Sequence, residues 1–176
     1  MAYTYSLLAS TTVGVGGAST ITFNNIPQNY TDLLLRVSGR STRSDYTFGS
    51  ISIAFNKSAV ASYSYNWLKG DGTNPNTGTG SAQTTVLDLY TMPSSTATAN
   101  TFGNNDIYIP NYTSANNKSV SIDGVSENNA TLSQAILTAG LWANTTAINS
   151  ITLTETNGNS FAQYSTAYLY GIRVEL

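Results

Sequence analysis

Short runs in which apolar and polar residues alternate recur along the whole chain, and this period of two constrains the fold most. Ile51, Ile53 and Phe55 alternate with small or polar neighbours, which predicts a β-strand with these three side chains on one buried face. Similar alternation occurs at 63–67, 87–89, 107–109, 120–122, 151–153 and 168–174. The stretch TDLLLRVSG predicts a more fully buried strand.

Segments rich in Gly, Pro, Asn and Ser separate these runs, among them GVGGAS, NNIPQN, KGDGTNPNTGTGS and MPSSTATAN. Such residues adopt turn conformations at little cost, so we expect loops there. About nine to eleven short strands without a helix are typical of an antiparallel β-sandwich. We expect one all-β domain over residues 1–176, with a jelly roll as the favoured form.

One segment, TLSQAILTAGLWA, fits both kinds of secondary structure. A stripe from Leu132 through Ile136 to Trp142 suits an amphipathic helix, and the same letters also alternate with a period of two. Gly140 and the β-rich surroundings favour a strand.

Composition removes most catalytic chemistry. The chain has no Cys and no His, which excludes disulfides, thiolate nucleophiles and imidazole bases. Its nine acidic residues show no motif of a catalytic pair, and the loop after Asp71 lacks the acidic ladder of an EF-hand. We therefore expect no enzymatic activity, no catalytic residue, no metal and no cofactor.

The charge and hydropathy patterns also limit the partners. Only 9% of residues are charged and the net charge is −2, so no basic footprint for nucleic acid is present. No run approaches the ~18 apolar residues of a membrane span, and the opening residues do not have the pattern of a secretory leader. We expect neither nucleic acid nor membrane as a partner.

Three arginines, Arg36, Arg40 and Arg43, hold nearly half of the basic charge. One interpretation is a docking contact with an acidic protein surface, because the guanidinium fork pairs with carboxylates. The alternative is a solvated loop neutralised by Asp45, which is the more common use of such charges.

Aromatic residues offer a second kind of candidate contact. Trp67 and Trp142 are candidates for stacking on the apolar face of a sugar ring. Core packing or a subunit interface is the more common use of such side chains.

The last strand, AYLYGIRVEL, is apolar at both parities. We expect an interior strand with Tyr168, Tyr170, Ile172 and Val174 in the core. Leu169 and Leu176 would then lie on the other face, near a boundary between subunits.

Three long stretches carry a resemblance to a known group of proteins: YSLLASTTVGVGGASTITFNNIPQNYTDLLLRVSGRS, IYIPNYTSANNKSVSIDGVSENNAT and GLWANTTAINSITLTETNGNSFAQYSTAYLYGI. Together they resemble virion structural proteins of tailed bacteriophages, including cyanophages. The resemblance covers most of the chain and is weakest from about residue 45 to 83. It implies a jelly-roll β-sandwich that is made in the host cytoplasm and assembled onto the virion.

Two functions follow from this resemblance. The first is a capsid decoration (cement) protein, a homo-oligomer and most simply a trimer, that clamps neighbouring major capsid proteins on the capsid surface. The second is a receptor-binding or carbohydrate-binding module of a tail fibre or spike, attached to a tail protein. The absence of a loop that gathers aromatic residues and carboxylates favours the first.

Overall fold

A computed structural model describes residues 3–128 and 132–174 of the chain. Apart from a short 3-10 helix, Thr156–Gly158, its regular elements are β-strands that pair antiparallel in two sheets, which confirms the predicted all-β sandwich. The strands are β1 (Tyr3–Thr12), β2 (Thr20–Phe23), β3 (Asp32–Gly39), β4 (Phe48–Phe55), β5 (Tyr63–Gly70), β6 (Pro75–Gln83), β7 (Val86–Pro93), β8 (Gly103–Ile109), β9 (Lys118–Ser126), β10 (Gln134–Trp142), β11 (Ile151–Glu155) and β12 (Thr166–Val174).

Eight strands pair in a nested order, in which early strands meet late ones. β1 pairs with β12, β2 with β11, β3 with β8, and β4 with β7. The larger sheet has the order β1-β12-β3-β8-β9-β10-β5-β6, and the smaller sheet has the order β2-β11-β4-β7. The larger sheet has eight strands and the smaller sheet four; β7 of the smaller sheet still contacts β9 and β10. The jelly-roll form stays a prediction.

The hydrophobic core lies between the two sheets. Ile51, Ile53 and Phe55 are fully buried on one face of β4, as the alternation predicted. They belong to one cluster with Leu33 and Leu35 of the larger sheet. Burial of these side chains removes apolar surface from water and holds the sheets together.

β7 crosses the larger sheet at very short range, and glycines make this approach possible. A Cβ atom added to Gly103 would lie 1.7 Å from the carbonyl oxygen of Thr91, and one added to Gly124 would lie 2.3 Å from the Thr91 methyl carbon. Gly39 and Gly140 make similar close approaches to β7. One glycine on each of β3, β8, β9 and β10 thus clears a path for this strand.

The C-terminal strand is partly as expected. β12 lies between β1 and β3, so the prediction of an interior strand is confirmed. The assignment of its faces is wrong for Leu169 and Tyr168: Leu169 is 1% exposed in the core, opposite Leu35, whereas Tyr168 is 38% exposed on the other face. Ile172 is buried, as predicted. Leu169 is therefore not available at a subunit boundary, and Leu176 lies outside the described residues. Alternation separates two faces, but because both are apolar it does not determine which one turns inward.

The ambiguous segment 131–143 contains β10, so the strand interpretation is confirmed. The predicted loop KGDGTNPNTGTGS is a loop only at residues 71–74, since its first two residues end β5 and Pro75–Gln83 forms β6. β6 is an edge strand with most of its residues exposed, and it therefore lacks the apolar alternation that would have predicted it.

Candidate functional site

The larger sheet has a broad apolar face that turns away from the smaller sheet, and we call it the outward face. The strand registers place many of the large exposed apolar side chains on this face. They are Tyr5, Leu7, Leu68, Tyr108, Val125, Leu137, Leu141 and Tyr168. Polar residues lie between them, but large apolar side chains gathered on one exposed face often mark an interaction surface, so this face is the candidate interaction site.

A row of charged side chains crosses the middle of the outward face. Arg36 on β3, Asp106 on β8 and Asp123 on β9 are direct cross-strand neighbours. Arg36 Nη2 donates to Asp106 Oδ2 at 3.1 Å, and the Arg36 side chain is 58% exposed. Asp123 is exposed and forms no salt bridge with any described residue. The row therefore presents one carboxylate without an ionic partner in the described part of its own chain.

A groove of about 690 Å³ lies on one half of the outward face, over β9, β10, β5 and β6. The side chains along its floor belong to one cross-strand row, Ser121, Ala139, Asn66 and Thr79. Leu137 and Leu68 form the next row and a wall of the groove. Small side chains between larger ones therefore create the depression.

The opposite half of the outward face carries large side chains in the same row, and it has a smaller depression of about 270 Å³ lined by Tyr5, Leu34, Arg36 and Tyr170. Leu7 on β1, Tyr170 on β12, Leu34 on β3 and Tyr108 on β8 are consecutive cross-strand neighbours. Tyr108 in turn lies opposite Ser121, where the floor of the groove begins. One row of the sheet thus changes from large to small side chains across the face.

The three candidate arginines do not share a surface. Arg40 donates to the carbonyl oxygens of Thr98 and Thr101 at 2.8 and 2.9 Å, and burial lowers its pKa. Arg43 pairs with Asp45 at 2.7 Å and lies over the ring of Tyr46, as the solvated-loop alternative expected of its charge. Of the three, only Arg36 lies on the outward face. The three arginines therefore do not form one docking surface.

The two candidate tryptophans do not form a stacking platform. Trp142 is 1% exposed and packs between Phe55 and Tyr63, so its proposed role in glycan stacking is wrong. Trp67 is half-buried, and its ring lies where a Cβ atom of Gly78 would be. Trp67 is among the residues that line the groove, but strand alternation turns its ring to the other side of the sheet, so glycan stacking by this ring stays a prediction.

One titratable group is enclosed between the sheets. Asp88 on β7 is fully buried, and its Oδ2 accepts a hydrogen bond from Thr91 Oγ1 at 2.8 Å, while Oδ1 has no partner. Burial raises the pKa of Asp88 to about 7, and the charge of Asp123 acts in the same direction. Because this carboxyl group is fully buried, we assign it no contact with a ligand, and its ionisation lowers the stability of the fold.

Residues 3–128 and 132–174 contain no cluster of three or more potential metal ligands among Asp, Glu, His and Cys. The same ranges contain no helix with the length and hydropathy needed to cross a membrane.

Comparisons with protein-family models, with curated proteins and with solved structures found no match to this chain.

Reasoning from the sequence missed the outward face. The signal was present, because Leu137, Leu141 and Leu68 are apolar at the parity opposite to the core residues of their strands. What the sequence does not contain is the order of the strands, which brings these side chains from β5 and β10 to one surface.

Proposed function

We infer that the chain is a non-enzymatic structural protein of a tailed-phage virion, a capsid decoration protein that joins neighbouring major capsid proteins. The observation that carries this proposal is the outward face, because an apolar surface of this breadth on a charge-poor β-sandwich suits a protein that works within an assembly. The nested pairing of β1–β12, β2–β11, β3–β8 and β4–β7 supports the jelly-roll form that the resemblance implies.

The character of the remaining surface supports the same role. Ser, Thr and Asn side chains dominate the loops, and few Lys or Glu side chains are available to bind oppositely charged molecules. Arg40 holds the loop after β7 by hydrogen bonds to its carbonyl oxygens, which fixes a long connection without a disulfide or a metal. A protein built in this way does not depend on the redox state when particles leave the host.

Immunogold labelling of intact particles tests the location. An antibody raised against the purified chain is applied to particles of the phage that encodes it, with particles of an unrelated phage as the control. Gold distributed over the capsid shell is the expected result. Particles that contain no copy of the chain by mass spectrometry would contradict any virion role.

A tail fibre or spike module remains the second candidate, and the groove is the observation that favours it. Its volume of about 690 Å³ lies in the range of small-ligand pockets, and Asn66 and Thr79 offer polar groups along its floor. Gold confined to the tail, together with retention on a glycan array that is lost in Ala139→Trp, would support this candidate over the first.

A homo-oligomer belongs to the first proposal, and the resemblance predicts a trimer. Light scattering measures this directly, since one chain has a mass of 18.7 kDa.

A further inference from the structure

We propose that two copies of this chain pair through their outward faces about a two-fold axis that runs along β8, forming a face-to-face dimer. The inference rests on the geometry of the larger sheet and does not depend on the virion role. A two-fold pair would replace the trimer that the resemblance predicts. We choose a second copy of the chain as the partner because the two halves of the outward face complement each other in shape and in charge.

The position of the axis follows from the strand order. β8 has β3, β12 and β1 on one side and β9, β10 and β5 on the other. A two-fold axis parallel to β8 places β3 of one copy over β9 of the other, β12 over β10, and β1 over β5. Such an interface is isologous, so every contact occurs twice.

The outer residues of the charged row are complementary in this arrangement, while Asp106 on β8 faces Asp106 of the other copy at the axis, each paired with the Arg36 of its own chain. Arg36 on β3 of one copy lies over Asp123 on β9 of the other, and both residues occupy the same cross-strand row. Asp123 lacks a salt bridge within the described part of its own chain, whereas Arg36 uses Nη2 for Asp106 and has further N–H groups to donate. Two such contacts across the axis pair the exposed carboxylates.

The shapes of the two halves also complement each other. The bulky row places Tyr170 over Ala139 of the other copy, Leu34 over Ser121, and Leu7 over Asn66. Ala139, Ser121 and Asn66 form the floor of the groove. Leu7, which is 55% exposed, thus meets the groove of the other copy, whereas Leu34 and Tyr170 are half-buried and line the smaller depression of their own half.

The area of the face is sufficient for a stable pair. Seven strands of each copy overlap in this arrangement, since β6 has no strand opposite it. At a spacing of about 4.8 Å, with about eight residues per strand and a rise of about 3.3 Å per residue, they cover on the order of 760 Å². A typical specific interface buries about 800 Å² on each partner.

In this arrangement Arg36 serves the contact between copies, so the capsid contact would use another side of the sandwich.

The experiment measures the mass of the purified full chain by light scattering and its dissociation constant by sedimentation equilibrium. The expected mass at about 50 µM is twice that of one chain, with dissociation on dilution. A monomer at this concentration, or a trimer, would overturn the proposal.

Two single charge variants, Arg36→Asp and Asp123→Arg, provide the most specific test. Each places like charges opposite each other twice in its own dimer, so each is expected to weaken self-association by at least ~100-fold. When the two variants are mixed in equal amounts, every contact across the axis pairs Asp with Arg, and dimers are expected to return. Both positions are exposed, and circular dichroism checks that the variants fold.

An apolar variant with a matched control completes the design. Leu137 is 58% exposed on the outward face, and Val15 is 89% exposed on a loop away from it. Leu137→Asp is expected to give monomers, while Val15→Asp keeps the wild-type mass. Dimers that persist in both single charge variants, or a mixture that remains monomeric, would show that the outward face does not join two copies in this way.

Discussion

Replacing Asp88 by Asn is expected to stabilise the protein at neutral and alkaline pH. The carboxyl group is fully buried on β7, with one oxygen bonded to Thr91 and the other without a partner. Asn is similar in shape, keeps an oxygen for the Thr91 hydroxyl and carries no charge at any pH. The substitution therefore removes the cost of ionising this site with little change in packing.

The sign and size of the effect follow from proton binding. Burial raises the pKa of Asp88 from 3.8 to about 7. Between these values the folded state holds a proton that the unfolded state has released, so the free energy of unfolding falls as the pH rises through this window. The full loss, complete above the folded pKa, is on the order of 4 kcal/mol, since each tenfold change in proton affinity corresponds to about 1.4 kcal/mol.

Urea unfolding at a fixed protein concentration measures the effect, because association of copies would make the midpoint depend on concentration. From about pH 5 to pH 8, the advantage of Asp88→Asn over wild type is expected to grow by about 2 to 3 kcal/mol. Glu155, whose pKa burial also raises, contributes to the slope of both proteins and cancels in their difference.

An exposed carboxylate whose pKa moves in the opposite direction provides the control. Backbone N–H groups of Asn74 and Thr73 lower the pKa of Asp71, so Asp71→Asn should lose stability above about pH 4 instead of gaining it. Parallel pH profiles for wild type and Asp88→Asn would refute the reasoning, since they would mean that the buried carboxyl group ionises without cost.

Three further changes test the packing. Leu169→Asp is expected to prevent folding, because it places a charge in the core, and circular dichroism should show loss of the β signal. Gly103→Ala is expected to lower the free energy of unfolding, measured in urea, by several kcal/mol, because the added methyl group would overlap the Thr91 carbonyl. Gly14→Ala is the control: Gly14 has open space around it, so this change should alter the free energy of unfolding by less than about 1 kcal/mol. Arg40→Gln is expected to speed proteolysis of the loop after β7 at least several-fold while the sheets stay intact; an unchanged cleavage rate would show that its four hydrogen bonds do not hold that loop.

The alternation of apolar residues was sufficient to predict strands at particular places. Ile51, Ile53 and Phe55 are buried together, as predicted, because a strand turns alternate side chains to one side whatever its neighbours are. The sequence did not predict β6, because an edge strand that is exposed on both faces needs no apolar residues.

The candidate contacts were less predictable. Trp142 and Trp67 have the same chemistry in the sequence, yet one fills the core and the other lies against Gly78. Arg40 binds the carbonyl oxygen of Thr101, far along the chain, whereas Arg43 pairs with Asp45, two residues away. The spacing of the arginines in the sequence does not reveal this difference. The sequence indicates which residue types can make a contact, and the fold decides which contact each one makes.

The sequence by itself determined the all-β class, because periodicity and turn residues are local properties that act over a few residues. Only the tertiary structure decided which face of β12 is buried and which residues form the outward face. Leu169 turns inward because its register with β3 places it opposite Leu35. The groove exists because the pairings of β9, β10, β5 and β6 bring Ser121, Ala139, Asn66 and Thr79 into one row. Both depend on pairings between residues far apart in the chain, and alternation within one strand carries no information about its partner.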